Sequence, residues 1–149
     1  VAVEQFADAF FMRYFSRRRR LSAEAGGRMA AMLHLLPFRT ELGRTTYIYG
    51  VATDPAFRGR GLASQLMREA MRLIAERGDD AALLIPPPGK EWLREFYGRF
   101  GFAGDVPARF VSADRFDIGT GDAAAGRAMV WRRDSSVPLP EQLAASWHS

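Results

Sequence analysis

Cysteine is absent from the 149 residues of this sequence, and histidine occurs only twice. Without cysteine there is no disulfide, no thiolate nucleophile and no cysteine-bound metal, and proteins without disulfides are typical of the cytoplasm. The two histidines are far apart, and the scattered carboxylates show no ligand spacing. The sequence therefore excludes covalent cysteine catalysis and predicts a cytoplasmic protein that binds no metal.

Long apolar runs are also missing. The longest, such as residues 29–32 and 81–85, fall far short of the roughly 20 residues that a membrane-spanning helix requires. The chain is 48% hydrophobic and 26% charged, which is the balance of a globular protein. Its length is that of one ordinary domain. We therefore expect residues 1–149 to form a single domain that does not cross a membrane.

Lysine is nearly absent, since Lys90 is the only one, and arginine carries almost all the positive charge. The net charge of +4 suits a polyanionic ligand such as a nucleotide phosphate and argues against a polycationic substrate. Charge alone does not decide between a cofactor and a nucleic acid. The arginine run at residues 17–20 keeps nucleic-acid binding as an alternative. Nothing near it supplies stacking aromatics or helix-turn-helix spacing, so we expect no nucleic-acid partner.

The hydrophobic pattern predicts an α/β (α+β) domain. Apolar residues recur at helical spacing over residues 62–77, and Gly78 supplies a stop signal, which makes this the clearest helix. Residues 81–85 are apolar and followed by three prolines, as expected of a short buried strand. The other predicted elements are a helix at 4–15, strands at 21–25, 29–38 and 45–53 that form two antiparallel hairpins, a helix at 90–100, a closing hairpin of 110–118 with 127–133, and a short helix or coil at 138–149.

A glycine-rich loop separates the strand at 45–53 from the helix at 62–77. The first N–H groups of a helix have no partner within the helix, and the helix dipole adds partial positive charge there. Gly59 and Gly61 allow an anion to approach the backbone closely, and Arg58 and Arg60 add charge. The loop is therefore a candidate phosphate site.

The segment Arg58-x-x-Gly61-x-Ala63 resembles the Q/R-x-x-G-x-G/A signature of the GNAT superfamily of N-acetyltransferases. The resemblance implies a mixed, mostly antiparallel sheet with helices on both faces, and a cleft for acetyl-CoA between the strands at 45–53 and 81–85. A bulge at Gly50 would splay these strands. The residues implied in cofactor binding are Val51, Ala52 and Thr53 along the pantetheine arm, and Arg58, Gly59, Arg60, Gly61, Leu62, Ala63 and Ser64 around the pyrophosphate.

A second motif follows at residues 96–102, where F-Y-G-R-F-G-F is similar to the family's F-Y-x-x-x-G-F segment. The resemblance places Tyr97 near the thioester sulfur. A phenol has an unperturbed pKa of about 10 and is protonated at neutral pH, so Tyr97 could protonate the departing CoA thiolate. Tyr97 also shares one predicted helix face with Trp92, Phe96 and Phe100, and a plain packing role is the alternative.

The family implies direct transfer of the acetyl group from acetyl-CoA to a primary amine in a ternary complex, without a covalent intermediate. The sequence does not identify the amine or the general base. The candidates by location are Glu24, Glu41, Asp54 and His34, while Tyr47 and Tyr49 are candidates for shaping the acceptor pocket. His34 lies in an apolar run, where a buried, non-catalytic histidine is the simpler interpretation. A CoA-binding module without activity remains an alternative.

One departure from the family concerns its first strand, which should precede the helix predicted at 4–15. No such strand is evident in the sequence. Either the chain is a piece of a longer protein or it lacks this strand, and in both cases part of the acceptor pocket would be missing. The family also leads us to consider a homodimer.

Overall fold

The structure, a computed structural model, describes residues 19–111 and 126–147. The predicted helix at 4–15 and the predicted strand residues 112–118 lie outside these ranges. In chain order the elements are β1 (Arg20–Ala25), β2 (Arg28–Thr40), β3 (Gly43–Thr53), a 3₁₀ helix (Pro55–Phe57), α1 (Leu62–Arg77), β4 (Ala81–Leu84), α2 (Glu91–Gly98), β5 (Ala103–Val111), β6 (Gly126–Arg132) and β7 (Leu143–Trp147).

The strands form one mixed sheet in the order β1-β2-β3-β4-β6-β5-β7. Among the described strands, the β3–β4 and β5–β7 pairs are parallel, and the other pairs are antiparallel. The predicted fold class, the two consecutive hairpins and the β3–α1–β4 crossover are confirmed. No helix in the described ranges is both long and apolar enough to cross a membrane.

The C-terminal segment differs from the prediction, because residues 138–149 were expected to be a helix or coil. Instead, β7 pairs with β5 along its length and with β2 at Phe38 and Arg39. Its sequence, Leu-Ala-Ala-Ser-Trp, has no β-branched residue, so its strand conformation depends on tertiary pairing rather than on local propensity. The prediction is wrong for residues 143–147, whereas residues 138–142 form neither helix nor strand, in agreement with it. Pairing with two strands also closes the sheet on itself.

Two hydrophobic clusters cover the two faces of the sheet. On one face, α1 packs against β1, β2 and β3, and α2 adds side chains to the same hydrophobic cluster. We call this the helix-side cluster, and its buried members include Leu33, Leu35, Ile48, Leu66, Met67, Ile74 and Tyr97. The other face carries a cluster of strand and loop residues, among them Leu36, Phe38, Tyr47, Leu83 and Leu143. Within the described ranges both α-helices lie on one face, and the helix predicted at 4–15 is not described.

Helix α2 is shorter than predicted and presents a different face. Trp92 was expected to pack with Phe96 and Phe100 but is 63% exposed. It lies in the first turn of α2, which begins at Glu91. The packed stripe of α2 passes through the next residue, Leu93, and through Phe96 and Tyr97 at helical spacing, which leaves Trp92 beside the stripe. The assignment of Trp92 to the buried face was wrong.

Candidate active site

The site is centred on the place where β3 and β4 separate. In the parts of the chain that are described, the two strands pair at Thr45–Ala81, Thr46–Ala82 and Tyr47–Leu83. Strand β4 ends one residue later, whereas β3 continues to Thr53. The two strands therefore form a V with its vertex at these three pairs. Beyond the vertex, the edge of β3 that faced β4 is open to another extended chain.

A β-bulge lies on the open arm of the V. In the β2–β3 ladder, Met32 pairs with Ala52 and His34 with Tyr49, so β3 carries one residue more than β2 over this interval. Within it, Gly50 has a φ of 69°, a left-handed conformation that residues with a side chain adopt at a cost. The bulge expected at Gly50 is present. A bulge bends its strand and increases the local twist, which helps β3 to leave β4.

Asp54 fixes the turn that follows β3. Its backbone N–H donates to Ala30 O at 2.7 Å. Its side-chain Oδ1 accepts from Ala56 N at 2.8 Å, and its backbone O accepts from Phe57 N at 2.8 Å. Arg28 Nη2 lies 3.2 Å from Asp54 Oδ2. These contacts determine where the glycine-rich loop begins.

The loop itself presents its backbone to open space. Gly59 and Gly61 have φ angles of 79° and 72°, so both need glycine to avoid strain. A Cβ added at either position would meet no atom within 4 Å. This space lies where an anion would approach the loop. Arg58 and Arg60 are exposed beside it.

Helix α1 begins at this loop without a side-chain cap. Gly61 is the N-cap residue, and the first turn contains no acidic residue. The first amide that bonds back toward the helix start is Gln65 N, which donates to Gly61 O at 3.0 Å. The amides of Leu62, Ala63 and Ser64 therefore lack partners within the helix. Together with the helix dipole, they form a cradle suited to a phosphate or pyrophosphate group.

Tyr97 is the buried residue of α2. It is 7% exposed and belongs to the helix-side cluster, in which Val51 of β3 and Leu62 of α1 also take part. The cluster thus brings together the second motif, the open strand arm and the start of the phosphate loop. Burial raises the pKa of Tyr97 to about 12, so its phenol is protonated at neutral pH. Its ring centroid lies 5.2 Å from that of Phe96.

The three carboxylates and one histidine considered as general bases are not equivalent. Glu41 accepts from Ala144 N at 3.0 and 3.2 Å, and Asp54 is ion-paired and caps a turn. Burial and the charge of Arg20 lower the pKa of His34 to about 4, although the backbone at Tyr49 raises it in part. His34 is therefore neutral and weakly basic at neutral pH. Glu24 is exposed on β1. Geometry gives none of them the role of base.

The face of the sheet opposite α1 carries aromatic residues near the V. The ring centroids of Tyr47 and Tyr49 are 5.5 Å apart, and Phe110 lies 4.9 Å from Tyr47. Burial raises the pKa of Tyr49 to about 12 and also raises that of Tyr47. Sequence reasoning named the tyrosines but missed Phe110 and its neighbour Phe38, which lie 5.3 Å apart. The signal available in the sequence was the two-residue spacing of Val106, Ala108 and Phe110 along β5, of which Val106 and Ala108 are buried.

Metal ligands are not grouped in this part of the protein. Across residues 19–111 and 126–147 no three histidine, aspartate or glutamate side chains lie close enough to hold an ion.

These features agree with a comparison against families of known proteins. A family model described as an acetyltransferase (GNAT) domain matches residues 2–104, which include the β3–α1 loop and α2. The chain belongs to the GNAT acetyltransferase family. No curated protein matches it.

Several solved GNAT structures share the fold. The crystal structure of YhbS from Escherichia coli in complex with CoA superposes with a TM-score of 0.60 at 19% identity, covering 99% of this chain and 86% of that one. A GNAT acetyltransferase from Brucella melitensis in complex with acetyl-CoA gives a TM-score of 0.60 at 18% identity, covering 97% and 75%. IAA acetyltransferase from Bacillus cereus gives 0.62 at 16%, covering 84% of each chain. At these identities the likeness establishes the fold.

Proposed function

We propose that this GNAT protein transfers an acetyl group from acetyl-CoA to a primary amine by direct attack in a ternary complex. The observation that carries the proposal is the uncapped start of α1, with its open glycine backbone, beside the open arm of β3. The cradle fits a pyrophosphate, and the free strand edge fits an extended pantetheine arm. Two of the solved relatives bind CoA or acetyl-CoA.

Binding would use backbone groups more than side chains. The amides of residues 59–64 would donate to the pyrophosphate oxygens, and Arg58 would add a charge-assisted contact. The backbone of Val51, Ala52 and Thr53 would pair with the amides of the pantetheine arm as a neighbouring strand does. This arrangement delivers the thioester to the bulge at Gly50.

The transfer step needs few groups from the protein. The neutral amine attacks the thioester carbonyl carbon, and a C–N bond forms. Backbone N–H groups of the bulged strand stabilise the oxyanion. As the C–S bond breaks, Tyr97 donates its proton to the sulfur and later regains one from solvent, while the amine loses its extra proton to water. The aromatic face around Tyr49 would receive the acceptor, whose identity depends on the shape of this pocket.

Calorimetric titration of acetyl-CoA tests the proposal. The wild type should bind saturably, and the double variant Gly61→Glu with Arg58→Ala should not, because it places a negative side chain in the cradle and removes a positive one. A matched control is Gly26→Glu with Arg68→Ala. Gly26 has a φ of 58° in the turn between β1 and β2, a Cβ there would meet no atom within 4 Å, and Arg68 is exposed, so strain and charge change alike. The control should bind as the wild type does.

The outcome for the wild type decides between the alternatives. Absence of binding would contradict the proposal, and nucleic-acid binding would then be tested through the arginine run at 17–20. Binding without turnover against any amine would favour a CoA-binding module without activity. Binding followed by release of free CoA thiol in the presence of an amine supports the proposed reaction.

A further inference from the structure

A buried polar cluster lies at the vertex of the V, at the opposite end of α1 from the phosphate loop. Asp79 is 4% exposed and Thr46 is 2% exposed. Thr46 Oγ1 donates to Asp79 Oδ2 at 2.6 Å and accepts from Arg77 Nη2 at 2.9 Å. Arg77 and Arg44 lie 3.5 Å and 3.9 Å from the carboxylate of Asp79. We call Thr46, Arg77 and Asp79 the vertex clamp.

The clamp joins elements that the site needs in a fixed arrangement. Thr46 is the middle one of the three β3 residues that pair with β4, and Arg77 is the last residue of α1. Arg133, the residue directly after β6, donates through Nε to Asp79 O at 2.7 Å and through Nη2 to Ala75 O at 2.9 Å. The C-terminal end of α1 is therefore fixed to β3, β4 and β6 at one point.

The distance between the clamp and the cradle makes the angle of α1 important. Helix α1 has 16 residues. At about 1.5 Å per residue it is about 24 Å long, so a tilt of about 5° at the clamp moves the cradle amides by about 2 Å. Misplacement of a positioning group by about 1 Å is enough to impair catalysis. β3 and β4 pair over only three residue pairs. The angle of α1 therefore depends on side-chain contacts.

We propose that Thr46 and Asp79 are positioning residues that set the direction of α1, so that its N-terminal amides meet the pyrophosphate of CoA bound along β3. This inference rests on the proposed function. Neither residue belongs to the two sequence motifs, and neither touches the cradle. Their effect on the cofactor passes through the rigid body of α1.

The test is calorimetric binding of CoA, measured well below the unfolding midpoint of each variant so that every protein is fully folded. Thr46→Val keeps the shape of the side chain and removes its hydroxyl, and Asp79→Asn keeps the shape and removes the charge. We expect the Kd for CoA to rise about ten-fold or more in both. Thr46→Ser retains the hydroxyl and should restore wild-type affinity.

A second aspartate provides the matched control. Asp105 Oδ1 lies 3.1 Å from Arg94 Nη2 and 2.9 Å from Arg127 Nε, and it links α2 to the β5–β6 hairpin without touching α1. Asp105→Asn weakens the pairing of an aspartate with two arginines, as Asp79→Asn does, although the side chain of Asp105 is 54% exposed and that of Asp79 only 6%, and it should leave the Kd for CoA unchanged.

The results separate this inference from the proposed function. If the wild type does not bind CoA, the proposed function fails. If the wild type binds and the folded Thr46→Val and Asp79→Asn variants bind equally well, the inference is overturned, and the clamp serves stability alone. A lower unfolding midpoint with an unchanged Kd is the signature of that outcome. Should Asp79→Asn not fold, Thr46→Val and its Thr46→Ser counterpart still decide the question.

Discussion

Glu41 holds β7 through a hydrogen bond from Ala144, whose backbone N–H lies 3.0 Å from Oε1 and 3.2 Å from Oε2 of its carboxylate. The two residues are 103 positions apart in the sequence. The contact connects the turn between β2 and β3 to the strand that closes the sheet. It gives Glu41 a structural role, and the catalytic role considered from its position in the sequence stays a prediction.

Glu41→Ala should lower the free energy of unfolding by about 1 kcal/mol, because an exposed charge-assisted hydrogen bond is lost. It should leave the acetylation rate at saturating acetyl-CoA unchanged. Chemical denaturation and steady-state kinetics measure the two effects separately. Glu41→Gln retains an acceptor oxygen and should recover part of the stability. A large fall in kcat with unchanged stability would restore Glu41 as a base.

Tyr97→Phe tests whether the phenol acts as an acid or only fills space. The variant keeps the ring in the helix-side cluster and removes the hydroxyl. If Tyr97 protonates the thiolate, kcat should fall about 100-fold or more while the Kd for CoA stays the same. Because burial raises the pKa of Tyr97 to about 12, its deprotonation should not limit the rate at moderately alkaline pH.

The control for Tyr97→Phe is Phe96→Leu, which changes packing beside Tyr97 and leaves its hydroxyl. This variant should lose stability and retain most of its kcat. An unchanged kcat in Tyr97→Phe would assign Tyr97 to packing and leave protonation of the thiolate to solvent.

Arg60 stacks on Phe57 beside the phosphate loop, with the guanidinium carbon 5.0 Å from the ring centroid. An exposed cation–π contact contributes about 0.5 to 1 kcal/mol, so Phe57→Leu should raise the Kd for CoA about two- to five-fold by releasing Arg60 from its position. Arg60→Gln should have a larger effect at low ionic strength than at high, because salt screens exposed charges. Arg68→Gln, on the exposed side of α1, is the control. Equal affinity of Arg60→Gln and the wild type at low salt would contradict this role.

The features that could be predicted from the sequence are those that depend on residues close together in the chain. The helical period of α1, the Gly78 stop and the glycine loop are local signals, and all are present in the structure. The bulge at Gly50 was expected only through the family resemblance. By contrast, β7 and the Glu41–Ala144 contact depend on pairing between distant segments, for which the local sequence carries little signal. The same holds for Asp79, whose hydrogen bond to Thr46 spans 33 positions.

Aromatic residues show where periodicity alone misleads. Leu93, Phe96 and Tyr97 pack on the helix-side cluster, but Trp92 lies beside this stripe and is 63% exposed. Phe38 and Phe110 come from different strands and meet only because the sheet closes. Predicting this aromatic cluster would have required the strand order, for which the local sequence carries little signal.

His34 predicts how stability responds to acid. Burial lowers its pKa from 6.5 to about 4 in the folded protein, and Arg20 on the paired strand position acts in the same direction. The unfolded chain thus binds a proton at a higher pH than the folded protein does. The stabilisation is fully present above pH 6.5 and is lost as the pH falls toward 4. With about 1.4 kcal/mol for each pKa unit, the loss is about 3 kcal/mol.

Urea denaturation of the wild type and of His34→Leu across this pH range measures the effect. Carboxylates titrate in both proteins, so their contribution cancels in the difference between the two unfolding free energies. That difference should shift by about 3 kcal/mol in favour of His34→Leu as the pH falls, whatever its value at neutral pH. A difference that does not change with pH would mean that His34 titrates alike in the folded and unfolded states, and its burial beside Arg20 would then have no electrostatic consequence.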